Sequence, residues 1–393
     1  MSRYLNAKRE GEKTGLFGVD KAMTVIILLL LVFGSVMVFS ASGPYAKSNY
    51  GDGYYFVKRQ VFWVIIGVIG MAACAYLPLS FHKKYTAPIG FSVALLCLVL
   101  VLFSGASIKR WLSLGLFSFQ PSELMKPMLI LILALYMEKV QTYIRKNGIS
   151  GKKGGKISDK KLFLRSSLYG TFFPVLIVAS VCVLIMLENH FSGTLITFAI
   201  GAVVIFAGGA LLRWFAGAGG IMVTVVFAVL FGTDYASERI EIWLHPENFS
   251  VRDETWQITQ GLIAIGSGGV FGRGLGNGLQ KQLYVSAAHN DFIFSIVCEE
   301  LGLIGAVLTV LLFFSFVKRG LKIAAEADSI FGSLTAVGIT GHVGLQAFLN
   351  IGVVTGTIPN TGVTLPFFSY GGSALVVLLC EMGILLSVSK REI

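Results

Sequence analysis

The sequence predicts an all-α integral membrane protein, a polytopic bundle of about ten transmembrane helices with one large extracytoplasmic loop between spans seven and eight. Three observations predict it. Apolar residues make up 55% of the 393 positions and charged residues 13%, about half the charged share of a soluble domain. Runs near 20 apolar residues recur, the length an α-helix needs to cross roughly 30 Å of hydrocarbon. The 46 glycines suit close helix packing in lipid.

Taken in order, a basic tail (1–21) precedes an apolar stretch at 22–42. That stretch is too long for a removable signal peptide and lacks a small-residue cleavage site, so it reads as an uncleaved first span. Further spans follow at 61–79, 86–104, 122–137, 168–187, 192–211 and 214–232. The 138–167 segment, with Lys152-Lys153-Gly154-Gly155-Lys156, reads as a solvated basic cytoplasmic linker. The 233–291 loop is nearly 60 residues long, a length that usually marks function. Within it, Ile258, Leu262, Ile263 and Ile265 recur at helical spacing over 256–272, a helix that lies on the outer surface or dips back in. Spans at 292–316, 329–354 and 366–387 complete the chain. No internal repeat is evident, so 1–393 reads as a single polytopic unit.

Lys and Arg placement orients the bundle. With the N-terminus inside, 22 of the 32 basic residues fall on the cytoplasmic side and 9 opposite, with Lys126 inside span four. Both termini are therefore expected in the cytoplasm and the long loop outside. The net charge of +11 serves as anchorage to anionic membrane lipid. A nucleic-acid partner is not indicated, because the basic loop lacks interleaved aromatics or a recognisable module. Cys74, Cys97, Cys182, Cys298 and Cys380 all fall in apolar spans without a CxxC, which points to neither disulfide nor zinc.

The long loop closes with His289-Asn290-Asp291-Phe292, placing a carboxylate where polar chain re-enters the membrane. Asp291 has two readings: a helix N-cap, or a general base kept ionised by the helix terminus. His289 beside it is a second acid/base candidate. Glu123 and Lys126 share a face of span four and can neutralise each other; ionisable residues at that depth suggest function. Glu299 and Glu300 stand more than roughly 10 Å along a regular helix from Asp291, too far for a glycosidase-like carboxylate pair, and are expected to bond other helices. The run Gly266-Ser267-Gly268-Gly269-Val270-Phe271-Gly272-Arg273-Gly274-Leu275-Gly276 has no preceding strand and no GK[ST], so it is not a nucleotide loop. Its backbone can still present N–H groups to an anion. With Arg273 and Lys281 bracketing it, a lipid-linked pyrophosphate would fit.

Several motifs in order resemble the SEDS family (shape, elongation, division and sporulation; FtsW, RodA and SpoVE) along essentially the whole chain. They are Lys58-Arg59-Gln60, Arg110-Trp111, Gln120 to Lys126, Trp256 to Gln260, Ala264 to Gly269, His289 to Phe294, Glu299 to Gly302, and Pro359 through Ser369-Tyr370-Gly371-Gly372-Ser373. Gly362 to Pro366 is more similar to the FtsW/SpoVE side. Three positions depart: Glu188-Asn189-His190 stands where the family carries an E/Q-P-D-like turn, Asn290 replaces a Thr, and Glu381 is unexpected.

The resemblance implies a peptidoglycan glycosyltransferase polymerising lipid II into a growing glycan strand at the outer face of the bacterial cytoplasmic membrane. Asp291, matching the family's loop aspartate, would be the general base, and undecaprenyl pyrophosphate the leaving group. Arg59, Lys109, Arg110, Arg273 and Lys281 are the candidate cations for that group; Glu123, Lys126, Gln257, Gln260, His289, Ser369, Tyr370, Gly371 and Gly372 are the other substrate-binding candidates. No covalent cofactor is implied; a divalent cation (Mg or Mn) fits the chemistry, without ligands that the sequence defines. A class B penicillin-binding protein, a transpeptidase, is the implied partner. A lipid II flippase and a non-catalytic division scaffold are the alternatives. The flippase expects a dispensable loop carboxylate and critical midplane charges; the scaffold expects no essential charge.

Overall fold

A computed structural model of the chain describes residues 18–103, 110–113, 118–150, 168–210, 217, 220, 234–250, 255–285 and 288–390, without the side chains of 143–150, 234–237 and 247. The helices are α1 (Lys21–Tyr50), α2 (Tyr55–Tyr76), α3 (Leu79–Leu102), α4 (Pro121–Ser150), α5 (Leu168–Leu187), α6 (Phe191–Ala207), α7 (Asp234–Leu244), α8 (Trp256–Gly268), α9 (Ile293–Glu326), α10 (Ile330–Val354) and α11 (Gly372–Val388). Six are long and apolar enough to cross a membrane, and α6 and α11 are shorter apolar helices. With α4, these account for nine of the expected spans. The remaining one, 214–232, falls largely outside the described residues, as do the 1–17 tail and Lys109.

The bundle is apolar on its outer surface as well as in its core, as lipid requires. Val25, Leu29 and Val32 on α1, Ile65 and Ile69 on α2, and Leu303, Val307 and Phe314 on α9 all point outward. Hydrocarbon solvates such faces. Where helices meet, small residues let them approach: Gly201 lies against Val178, Gly338 against Ile130 and Val204, and Gly34 against the Phe367 carbonyl. The most extensive packing joins α2 to α11, with α9 against α10 and α1, and α4 among α3, α6 and α10.

One end of the bundle is tied by Asp20. It caps α1 by accepting from Met23 N at 2.8 Å and pairs with Arg319 of α9 at 2.5 Å. Its own N–H donates to Ser389 Oγ just past α11, so the two ends of the described chain share one side. The opposite end carries the functional loops, including a two-residue hairpin (Leu112 paired with Phe119) ahead of α4.

Several elements outrun the sequence expectation, α1 to Tyr50, α2 from Tyr55, α3 from Leu79 and α9 to Glu326, and three further differences concern α11, α4 and α9. First, α11 starts at Gly372 and not at 366, because 359–371 forms a compact turn segment: Phe367 has φ +66° and the Leu365 N–H donates to Ser369 Oγ. Second, α4 continues through Ser150 into the segment read as a linker. Third, α9 is one assigned helix broken at Gly302, where φ is +65° and ψ −161°.

The break in α9 explains the glycine-rich run. Breaking a helix orphans carbonyls before the break and N–H groups after it. Here Arg273 N and Gly274 N donate to the carbonyls of Glu299 and Glu300, while Leu303 N and Ile304 N donate to Gly269 and Val270. The loop is spliced into the helix. Only glycine fits at the crossing: a Cβ on Gly272 (φ +78°) would sit 2.2 Å from the Glu300 carbonyl oxygen, and one on Gly302 2.3 Å from Gly272 N.

Candidate active site

Asp291 stands between the end of the outer loop and the first turn of α9. It is not a cap: the N-cap of α9 is Phe292, without a side-chain hydrogen bond. Among the described residues, no other residue donates a hydrogen bond to its carboxylate. Burial raises its pKa, opposed by its own backbone N–H and by the Arg239 charge. Gly362 (φ +65°) brings bare backbone beside the carboxylate, its Cβ position 3.7 Å from Oδ2.

The backbone around this carboxylate is fixed at three consecutive carbonyls. Tyr370 N donates to His289 O at 2.9 Å. Ser369 Oγ donates to Asn290 O at 2.7 Å. Asn350 Nδ2 donates to Asp291 O and to Val363 O, both at 2.7 Å. The peptide is thus held by α10 and by the turn segment before α11, and the carboxylate is left to chemistry.

His289 is only 3% exposed. Its ring packs on Tyr45, Phe56 and Tyr370 with centroids 4.5–6.0 Å apart, and burial lowers its pKa to about 4. It is a neutral wedge beneath the loop. Ser369 spends its hydroxyl on the clamp, and Gly372 leaves space for the Trp63 indole, whose Nε1 lies 2.2 Å from the Cβ position. Exposed Arg59 lies over the Tyr55 ring at 4.4 Å and beside Tyr370. Gln257 and Gln260 sit on α8, which packs on Phe292 through Gly261.

Ser369, Tyr370 and Gly371 also line a cavity of about 50 Å³ with Glu123, His342, Gln346 and Glu381. The ion pair expected in span four is present: Lys126 Nζ lies 2.8 Å from Glu123, with Lys126 2% exposed. Lys126 also donates to Gln346 Oε1 at 3.3 Å. Arg110 donates to the carbonyls of Glu188 and Asn189. The Glu188 carboxyl, buried and with no partner among the described residues, has its pKa pushed up to about 8 by burial, against the pull of Arg110.

Arg273 and Lys281 lie elsewhere. Lys281 is 4% exposed and its ammonium bonds Glu300 at 2.6 Å and Ser40 at 3.0 Å. Arg273 reaches Ser267 O at 3.4 Å and approaches Glu299 at 3.9 Å. The loop N–H groups of Gly276, Gly278, Leu279 and Gln280 are already taken by the carboxylates of Glu299 and Glu300. The anion this loop cradles is the protein's own. Glu299 and Glu300 therefore bond the loop rather than other helices, apart from the hydrogen bond Glu300 accepts from Ser40 of α1 at 2.6 Å.

Sequence reading missed two site residues. Arg239 of α7 donates to Asn360 O at 2.6 Å, and its charge acts on Asp291. Asn350 clamps Asp291. Its signal was in plain view: His342, Gln346 and Asn350 recur every four residues in an otherwise apolar span, a polar stripe on one helix face. Among the described residues, no group of three or more His, Cys, Asp or Glu could hold a metal ion.

Comparison with known proteins fits this arrangement. The profile of the FtsW/RodA/SpoVE family, described as cell cycle protein, matches residues 20–393. A relative from Geobacter sp. (strain M18) named "Probable peptidoglycan glycosyltransferase FtsW" is 38% identical over 379 residues, covering 95% of this chain and 97% of its own. Stage V sporulation protein E of Bacillus subtilis is 37% identical over 377 residues, covering 94% and 97%. A solved chain from a peptidoglycan synthase complex, described as coordinating polymerization and crosslinking, superposes with TM-score 0.74 at 26% identity, covering 94% and 97%. Thermus thermophilus RodA superposes with TM-score 0.65 at 25% identity, covering 94% and 96%.

Proposed function

The chain belongs to the FtsW/RodA/SpoVE family, and from that premise we propose that this multi-pass peptidoglycan glycosyltransferase polymerises lipid II with Asp291 as its general base. The observation that carries the role of Asp291 is its half-buried carboxylate, backbone-clamped yet receiving no hydrogen bond from another described residue.

In the proposed step, the 4-hydroxyl of an acceptor GlcNAc attacks the anomeric carbon of a donor MurNAc from the face opposite the leaving group. The new glycosidic bond forms as the bond to undecaprenyl pyrophosphate breaks, with inversion. The hydroxyl proton passes to Asp291. Raised basicity from burial helps: a carboxylate with a higher pKa is a stronger base once ionised. Charge growing on the pyrophosphate is met by cations at this end of the bundle. Arg239, Arg59 and Arg110 are the cations proposed for that role, since they donate to neutral carbonyls or lie over a ring, whereas Lys281 and Arg273 face the carboxylates of Glu300 and Glu299. The undecaprenyl tail needs only an apolar groove between helices. No step is routed through a divalent ion.

By the distribution of basic residues, this site faces the outside of the bacterial cytoplasmic membrane, with both termini cytoplasmic. A class B penicillin-binding protein is the proposed partner, supported by the likeness to a chain of a synthase complex. The test is polymer formation from purified lipid II, comparing wild type with a folded Asp291→Asn variant, each co-purified with its partner. Polymer from wild type and none from the variant supports the base. Equal polymer from both removes Asp291 from the chemistry, and none from either favours a flippase.

A further inference from the structure

The chain carries a further buried acid–imidazole pair, distinct from the ion pairs above, that the proposed chemistry does not use. His342 of α10 is 4% exposed and Glu381 of α11 1% exposed. His342 Nδ1 lies 3.0 Å from both carboxylate oxygens of Glu381. Its other nitrogen, Nε2, lies 2.9 Å from Gln346 Oε1.

The proton positions follow by elimination. Gln346 Nε2 donates to Thr364 O and Oγ1, both at 3.1 Å. Its Oε1 therefore faces Lys126 Nζ, which has only donors, and His342 Nε2. That nitrogen must carry a hydrogen, or two lone pairs would meet in a buried site. The remaining proton is shared between Nδ1 and Glu381, and either location gives the same geometry. Glu381 thus fixes the ring plane of His342, and His342, with Lys126, holds the Gln346 amide with its oxygen away from Thr364.

Gln346 then holds Thr364, and Thr364 sits between the two clamps of the candidate base. Its predecessor Val363 gives its carbonyl to Asn350, which also holds Asp291 O. Its successor Leu365 gives its N–H to Ser369 Oγ, which donates to Asn290 O. Lys126 of α4, paired with Glu123, donates to the same amide oxygen.

We propose that His342 and Glu381 are positioning residues for Asp291: they orient Gln346, which locks the 363–371 segment against the Asn290–Asp291 backbone. This rests on reading Asp291 as the base, but the lock itself is measurable without substrate.

The experiment replaces the pair with apolar groups of similar size, Glu381→Leu together with His342→Phe. Such a swap of a buried polar pair for apolar groups is tolerated in stability, so the protein keeps its fold. Among the described residues, Gln346 Oε1 then loses the nearer of its two donors and keeps only Lys126 at 3.3 Å. Hydrogen exchange is read on the full chain in lipid nanodiscs. Amides in 288–292 and 363–371 should exchange about tenfold faster in the double variant, with α2 unchanged. In the lipid II assay kcat should fall about tenfold with KM within about twofold, since small misplacement of a reacting group is felt in the chemical step. Glu381→Gln, whose amide can donate to Nδ1, should restore wild-type exchange and kcat. Wild-type exchange in the double variant overturns the lock, and accelerated exchange with wild-type kcat overturns its bearing on Asp291. Because exchange needs no turnover, absent polymer in every protein would sink the transferase reading and leave the lock decided.

Discussion

Two acids in the first half of α9 and a third just before its N-cap are treated by the chain in opposite ways. Glu299 and Glu300, both fully buried, take N–H groups from four loop residues, and Glu300 adds Lys281 and Ser40. Asp291, roughly 13 Å away along a helix axis, takes none from any other described residue, although its backbone is fixed from three sides. A buried carboxylate is expensive unless bonded. The bonded ones hold the loop in place, and the one left unbonded is where proton transfer is available.

The largest expected effect tests the unbonded side. Asp291→Asn should lower glycan polymerisation by about 10³-fold, within the range of lost general-base catalysis, with no loss of unfolding temperature. A variant that unfolds early would put Asp291 among the staples. Glu300→Ala should do the reverse. It strands the buried Lys281 ammonium, at a cost of about 3–5 kcal/mol, and should show as a marked drop in unfolding temperature in detergent. A stable Glu300→Ala variant would break the comparison.

A subtler effect concerns pH. Burial raises the Asp291 pKa while Arg239 opposes it. Because the base works only when ionised, the rate should fall as pH drops through that raised value, above the usual aspartate range near about 3.9. Removing the opposing charge in Arg239→Gln should move this acid limb to higher pH. A limb moving down, or staying in place, would separate Arg239 from the base.

The smallest effect is at Glu188, a buried acid bonded to nothing described and pushed up to about 8 from its usual 4.5. A raised folded pKa in an acid penalises the fold once the unfolded group ionises. The penalty is absent below 4.5, grows towards pH 8 and is constant above it. Glu188→Gln should therefore match wild type in unfolding temperature at about pH 4, below the unfolded value of 4.5, and exceed it at pH 8.

Much of this was legible beforehand because lipid imposes simple rules. Span length gave the helices, and the motif around Asp291 singled out an acid whose backbone the structure clamps. Glu123 and Lys126 paired as their spacing required. What escaped was contact between parts distant in sequence. No local pattern says that Gly269 to Gly274 will pair with Glu299 to Ile304, so the glycine run looked like an anion loop and its target was unseen. The polarity of Lys281 suggested an outward cation, yet Glu300 keeps it inside. The start of α11 was misplaced because 366–371 is as apolar as a span but is bent by Phe367 and tied by Ser369. Asn350 was overlooked because apolar neighbours dominate any hydropathy window around it.

The spliced break at Gly302 has a practical consequence for anyone dissecting the protein. On a topology diagram, 269–281 is an extramembrane connection, the usual choice for a protease site, an epitope tag or new chain ends. Its backbone completes α9 through four hydrogen bonds, so cutting or lengthening it removes part of a transmembrane helix. Insertions tolerated at ordinary loop tips should fail here, and this stretch is better handled as interior sequence that happens to arrive from outside.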